Sequence, residues 1–278
     1  MTPASASSAF TLFGAAEAAR HIAVPGVGDD KYSRGVLGVI TGSVEYPGAA
    51  VLGIEAALHT GVGMVRYIGP ERATSLVLAR RPEVVTANGR VQAWLIGSGM
   101  DVKAGAGQSL TAMNEAVAQS VPVILDGGAF DLHAATVGPT IITPHFRELA
   151  RVAGKSLDDI QADPAGAAIA AAEKLGVTVL LKGHTTYVAS PGGARHSASS
   201  APAWTATAGA GDALGGILGA LVATHGREIE ADEGYLARLG ATAAVIHGLA
   251  AERASAGGPF TILDLAGAVS AVVAELLA

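Results

Sequence analysis

Short runs of valine, isoleucine and leucine alternate along the chain with longer, alanine-rich stretches. The apolar runs cover residues 36–41, 62–68, 93–96, 121–125, 140–143 and 177–181, and a further one at 185–189 follows a tight Lys182-Gly183 turn. Most are apolar throughout rather than at every second position, which predicts strands covered on both faces. Helices are predicted between them at 48–60, 71–78, 104–118, 147–153 and 164–175. Three more, at 212–224, 231–253 and 262–277, fill the last third. Strands alternating with helices in this way predict an α/β fold: a three-layer α/β/α sandwich around a mostly parallel sheet, with no separate lid domain. No repeat or long linker divides the 278 residues, so one domain is expected, with residues 1–29 a helical or flexible lead-in. The serine-, alanine- and glycine-rich stretch 190–202 reads as a mobile flap.

Composition narrows the functional classes. Half the residues are hydrophobic and only 15% are charged, which supplies a large core and excludes a disordered chain. The net charge of −6 arises from scattered residues with no basic stripe, so neither nucleic acid nor a membrane surface is an expected partner. The absence of cysteine removes disulfides, thiolate nucleophiles and cysteine metal sites. The first residues show no basic start followed by an apolar run, and the greasiest segment, 213–223, is too short for a span of roughly 20 residues. A cytoplasmic location is expected.

The polar residues gather where the predicted strands end. Residues 36–41 run into Gly42-Ser43, 93–96 into Gly97-Ser98-Gly99, and 121–125 into Asp126-Gly127-Gly128. Residues 140–143 run into Pro144-His145, and 177–181 into Lys182-Gly183. In an open parallel sheet these ends share one edge, where ligands bind. The glycines allow backbone N–H groups to approach an anion, although Gly97-Ser98-Gly99 alone reads more readily as a strand-to-helix turn than as a phosphate cradle. No Walker loop is present.

The sharpest feature is Gly209-Ala210-Gly211-Asp212, which opens an apolar helix containing Gly215 and Gly216. A helix start offers unpaired N–H groups and the positive end of a dipole, suited to a phosphoryl group. Asp212 is therefore a candidate catalytic carboxylate, with a simple N-cap as the rival reading. Glycines inside a helix cost about 1 kcal/mol each relative to alanine, so close approach by a ligand or a neighbouring backbone is expected at 215 and 216. His145 reads equally as a structural hydrogen-bonder or a ligand contact. Lys182, one of five lysines, reads as a ligand contact or a solvated residue. Asp126 is a carboxylate for chemistry or a helix cap, and Lys31 to Arg34 are a solvated lead-in or an anion clamp. His59 and His247 read as structural; no histidine spacing implies a metal, and no metal ligand is assigned.

Across residues 30 to 275 the chain resembles the ADP/ATP-dependent (S)-NAD(P)H-hydrate dehydratases, the carbohydrate-kinase-like branch of the ribokinase-like fold. The matching motifs, in order, are Lys31-Tyr32-Ser33-Arg34-Gly35 through Thr41-Gly42-Ser43, Tyr46-Pro47-Gly48-Ala49-Ala50 through Gly63, Ile96-Gly97-Ser98-Gly99, Thr143-Pro144-His145 with Glu148, Leu181-Lys182-Gly183-His184-Thr185-Thr186, and Gly209-Ala210-Gly211-Asp212. The resemblance implies an enzyme that restores NADH or NADPH from its S-configured hydrate at the expense of ADP or ATP. It implies that Asp212 acts on the hydroxyl of the hydrate and that Ala49, Gly99 and His145 face the damaged dinucleotide. Lys182, Gly183, His184, Thr185 and Thr186 would line the adenine-nucleotide pocket, and Gly209 and Gly211 would hold the phosphate. Mg2+ is implied with the nucleotide, as are a homo-oligomer, a tetramer in many members, and a separate epimerase in the same pathway.

Three departures from the family pattern stand out. Ala210 replaces a threonine, Asp126-Gly127-Gly128 lacks a second acidic residue, and Arg147 enters the loop after His145. Gly-Ala-Gly-Asp is also found in small-molecule kinases of the same fold, which keeps a sugar or vitamin-precursor kinase as the alternative. A nucleotide-binding regulator without catalysis is a third reading, supported only by the altered Asp126 segment.

Overall fold

The protein is described by a computed structural model over residues 10–100 and 108–278. A nine-stranded sheet runs in the order β1-β9-β8-β7-β6-β5-β4-β2-β3. Its strands are β1 (Thr11–Leu12), β2 (Val36–Ile40), β3 (Met64–Tyr67), β4 (Ala93–Ile96), β5 (Val123–Leu125), β6 (Thr140–Ile142), β7 (Thr178–Leu181), β8 (Thr186–Ala189) and β9 (Arg195–Ala198). Only β8 opposes the common direction, since it pairs antiparallel with both β7 and β9. The mostly parallel α/β sandwich expected from the apolar runs is therefore observed.

Successive residues of each strand enter different cores. Leu37, Leu95, Ile124, Ile141 and Leu180 join one cluster, with α2 (Gly48–Thr60), α8 (Ala210–Thr224), α10 (Tyr235–Ser255) and α11 (Ile262–Leu276). Ile40, Ile96, Leu125, Ile142 and Leu181 join the other, with α4 (Gln108–Val117), α5 (Phe146–Ala153) and α7 (Pro164–Leu175). This two-sided burial is why the strands are apolar at every position. The remaining helices are α1 (Ala15–Ala19), α3 (Glu71–Arg80), α6 (Leu157–Ala162) and α9 (Gly226–Ala231).

Several boundaries differ from expectation. The stretch 190–202 is no flap along its length: Arg195–Ala198 is β9, held between β8 and β1. Its side chains carry no apolar pattern, because main-chain pairing on both sides defines it. The lead-in contributes a helix, α1, and also the edge strand β1. The helix expected at 231–253 begins later, at Tyr235, after Asp232 and Gly234 end α9 and start a new turn. The helix expected at 104–118 is seen as Gln108–Val117; its earlier residues lie outside the described ones.

The helix glycines have a packing explanation. A Cβ on Gly216 of α8 would stand 2.0 Å from the carbonyl oxygen of Gly53 on α2, and one on Gly215 would stand 3.3 Å from Leu95. The α2 backbone at Gly216 and the Leu95 side chain at Gly215, rather than a ligand, account for these glycines. Gly216→Ala should therefore lower stability by about 1–3 kcal/mol through overpacking, despite the better helix propensity of alanine. Gly267→Ala on α11 meets nothing within 4 Å and should raise stability by about 0.5–1 kcal/mol. Chemical denaturation of the two variants checks both signs.

Candidate active site

The ends of β2, β4, β5, β6 and β7 are adjacent in the sheet and point the same way, so the five polar turns meet along one edge. The chain goes from β2 outward to β3 and then returns to the other side of β2 as β4. That reversal opens a crevice, and the first turn of α8 caps it. The resulting cleft has a volume of about 860 Å³ and takes in Ser98, Gly99, Asp126, His145, Lys182 and Asp212.

Asp212 is not the N-cap of α8. That position belongs to Gly209, whose φ of +94° requires glycine, and a Cβ there would meet Leu52 at 2.5 Å. Asp212 stands within the first turn, after Ala210 and Gly211, and its Oδ1 accepts a hydrogen bond from the Ser98 hydroxyl. Burial pushes its carboxyl above the usual aspartate range; the Ser98 bond and Lys182 pull it back, while Asp126 adds to the rise. Among the described residues the amides of Gly211 and Asp212 have no protein acceptor, which leaves the donors of the first helical turn facing the cleft.

Lys182 completes the cradle. Its Nζ lies 3.3 Å from where a Cβ on Gly211 would be, so an ammonium and the helix start converge on one point. The same Nζ donates to Asp126 Oδ1 at 2.9 Å and lies 4.0 Å from Glu148. Burial opposes its charge, but Asp126, then Glu148, hold it above the ordinary lysine value. Asp126 also accepts from Thr143 Oγ1 at 2.8 Å and makes no side-chain cap bond. It anchors the lysine rather than the helix after it.

His145 is the N-cap of α5. Its Nδ1 accepts from the Arg147 and Glu148 amides at 3.1 and 3.3 Å, which leaves the ring proton on Nε2. Glu148 returns a bond from the His145 amide at 2.8 Å, and the half-exposed ring lines the cleft. Gly183, His184, Thr186, Gly209 and Gly211 also line it. Ala49 stands one layer behind, its methyl against Gly99, and the Thr185 hydroxyl accepts from Ser199 at 3.0 Å; neither is among the lining residues.

Two residues gain importance from the fold. Ser98 was visible only as part of a glycine turn. His247, read as structural, reaches from α10 into the wall of the cleft and donates from Nε2 to the Ala210 carbonyl at 2.9 Å. Burial pushes its pKa down to about 4, so it is neutral. His59 remains a structural residue, bonded to Arg81 and to Ser270 away from the cleft. Lys31 to Arg34 lie before the start of β2, at the far end from the site, and Arg34 donates to the Gly61 carbonyl; they are a lead-in, not an anion clamp.

No group of three His, Asp or Glu side chains among the described residues is arranged to hold a metal ion. The cleft carboxylates are engaged by Lys182 and Ser98.

The family model described as NAD(P)H-hydrate dehydratase matches residues 37–265. The chain belongs to this family. It is 44% identical over 221 residues to the bifunctional NAD(P)H-hydrate repair enzyme of Mycobacterium leprae, a match covering 75% of the chain and 45% of that protein. The chain thus spans about half the length of the curated relatives it matches first. It is 35% identical over 208 residues to the ADP-dependent (S)-NAD(P)H-hydrate dehydratase of Neisseria meningitidis, covering 68% of the chain and 69% of that protein. In three dimensions it is similar to the Bacillus subtilis ADP/ATP-dependent NAD(P)H-hydrate dehydratase co-crystallised with ATP and Mg2+. The TM-score is 0.83 at 23% identity, over 96% of this chain and 99% of that one. A ribokinase-like superfamily protein of Enterococcus faecalis gives 0.81 at 20% identity, over 96% of each. These structural likenesses establish the ribokinase-like fold.

A buried neutral histidine makes stability depend on pH. His247 in the unfolded chain titrates near 6.5 and in the fold near 4, so its contribution is complete above 6.5 and is lost as pH falls toward 4. His247→Gln should show a shallower loss of stability across this window than the parent, measured by urea unfolding at each pH.

Proposed function

We propose that the chain dehydrates the S epimer of NADH or NADPH hydrate at the expense of ADP, or of ATP. The observation that carries this reading is the meeting of a partly buried carboxylate, Asp212, with the open amides of α8 and the Lys182 ammonium. That arrangement suits phosphoryl transfer, where positioning and charge stabilisation supply most of the rate. Membership of the NAD(P)H-hydrate dehydratase family supports the hydroxyl of the hydrate as the group that is phosphorylated.

In the first stage Asp212 takes the proton of the hydrate hydroxyl. The freed oxygen bonds to the terminal phosphorus of ADP, and the bond from that phosphorus to AMP breaks. Lys182 and the amides of Gly211 and Asp212 hold the charge on the moving group. In the second stage the C–O bond breaks with phosphate as leaving group and a proton leaves the adjacent ring carbon, which restores the double bond. ADP and hydrate become AMP, phosphate and NAD(P)H; with ATP the nucleotide product is ADP. Mg2+, when bound, neutralises phosphate charge.

Gly99 and His145 lie on the side assigned to the dinucleotide, with the Nε2–H of His145 as a donor. Ala49 supports Gly99 from behind. Gly183, His184 and Thr186 lie on the adenine-nucleotide side, with Thr185 tied to Ser199 beside them. We further propose a homo-oligomer, a tetramer by the resemblance, acting in the cytoplasm with a hydrate epimerase as pathway partner. Among the described residues no helix is long and apolar enough to cross a membrane.

Hydrated NADH with ADP and Mg2+ should regain the absorbance of NADH in the presence of the protein. No recovery with either nucleotide overturns the assignment. Asp212→Asn should lower turnover by at least about a hundredfold while ADP binding, followed by calorimetry, persists. Because the base must be ionised, the rate should fall as pH is lowered through the raised pKa of Asp212.

A further inference from the structure

Ser98 is fixed more firmly than a loop serine needs to be. It is 4% exposed and sits between two glycines at positive φ, +103° at Gly97 and +64° at Gly99. A Cβ on Gly97 would stand 2.3 Å from the Asp126 carbonyl, and one on Gly99 would stand 2.5 Å from the Ala49 methyl. The Ser98 carbonyl accepts from the Gly42 amide at 2.7 Å. With its main chain held on both sides, the side chain is aimed across the crevice at a residue 114 positions away, Asp212.

A hydroxyl carries one proton, and that of Ser98 goes to Oδ1 of Asp212. Among the described residues Oδ2 has no donor. We propose that Ser98 is a positioning residue for the reaction, holding Oδ1 so that Oδ2 faces the cleft and takes the proton of the substrate hydroxyl. The proposal rests on the reading of Asp212 as the base.

The hydrogen bond also favours the ionised carboxylate, in opposition to burial. The other titratable groups that line the cleft with Asp212 are Asp126 after β5, Lys182 and His184 after β7, His145 and Glu148 at the start of α5, and His247 from α10. Asp126 acts with burial, and Lys182 acts with Ser98.

Ser98→Ala is the direct test. It should lower kcat about tenfold with ADP affinity retained, and the acid limb of the kcat–pH profile should move to higher pH. The carboxyl carbon resonance of Asp212, assigned by its loss in Asp212→Asn, should titrate at higher pH than in the parent. Ser98→Cys keeps a side chain of similar shape with a weaker donor and should move the titration the same way by less. An unchanged kcat overturns the proposal. So does a lower kcat with the titration and acid limb unmoved, the signature of a packing defect. The NMR titration needs no turnover: if the parent fails to dehydrate NADH hydrate, the functional reading fails, while the Ser98–Asp212 link is still tested.

Discussion

The close approach of α8 to α2 and to the sheet is the contact on which the site depends. At Gly216 the two helices come so near that a single methyl group would overlap the Gly53 carbonyl. Gly219 lies similarly against Leu37 of β2, and Gly215 against Leu95 of β4. These contacts fix the height of α8 above the strands, and hence how far its first turn projects over their carboxyl ends. Asp212 lies in that turn and meets Ser98 at the end of β4. Packing density, not a flexible loop, positions the carboxylate.

The electrostatics of the cleft follow from that placement. Asp126, Glu148 and Asp212 face one ammonium, Lys182, in a cleft suited to anionic ligands. The imbalance is moderated in three ways. Asp126 is engaged by Lys182 and Thr143, Asp212 is raised by burial, and the helix start contributes partial positive charge beside both. His247 adds no charge at neutral pH, because burial keeps it neutral, yet it braces the Ala210 carbonyl at the base of the same turn. The cleft thus sets a carboxyl raised above the usual aspartate range beside an ammonium held above the ordinary lysine value.

Parts of this arrangement were readable from local sequence. Strands buried on both faces are apolar throughout, and β2, β4 and β5 show it. Gly209 to Asp212 announced a helix start with Asp212 in its first turn. Other parts left no local trace. Arg195–Ala198 has no apolar alternation and becomes a strand because β8 and β1 pair with it. Ser98 has nothing in its neighbourhood to distinguish it from any turn serine. Gly215 and Gly216 signalled a close approach, but not whether the neighbour would be a ligand or another backbone; it is α2 at Gly216 and the Leu95 side chain of β4 at Gly215.

The sequence by itself determined the layer order, the parallel sheet edge with its five polar turns, and Asp212 as the leading carboxylate. Each follows from hydrophobic pattern or from backbone conformation within a few residues. Only the tertiary structure decided the partners: Ser98 for Asp212 across 114 residues, Asp126 for Lys182 across 56, and His247 for the first turn of α8. Hydrogen bonds and ion pairs between distant segments depend on which strand ends become neighbours. Sheet order settles that, and no local pattern encodes it.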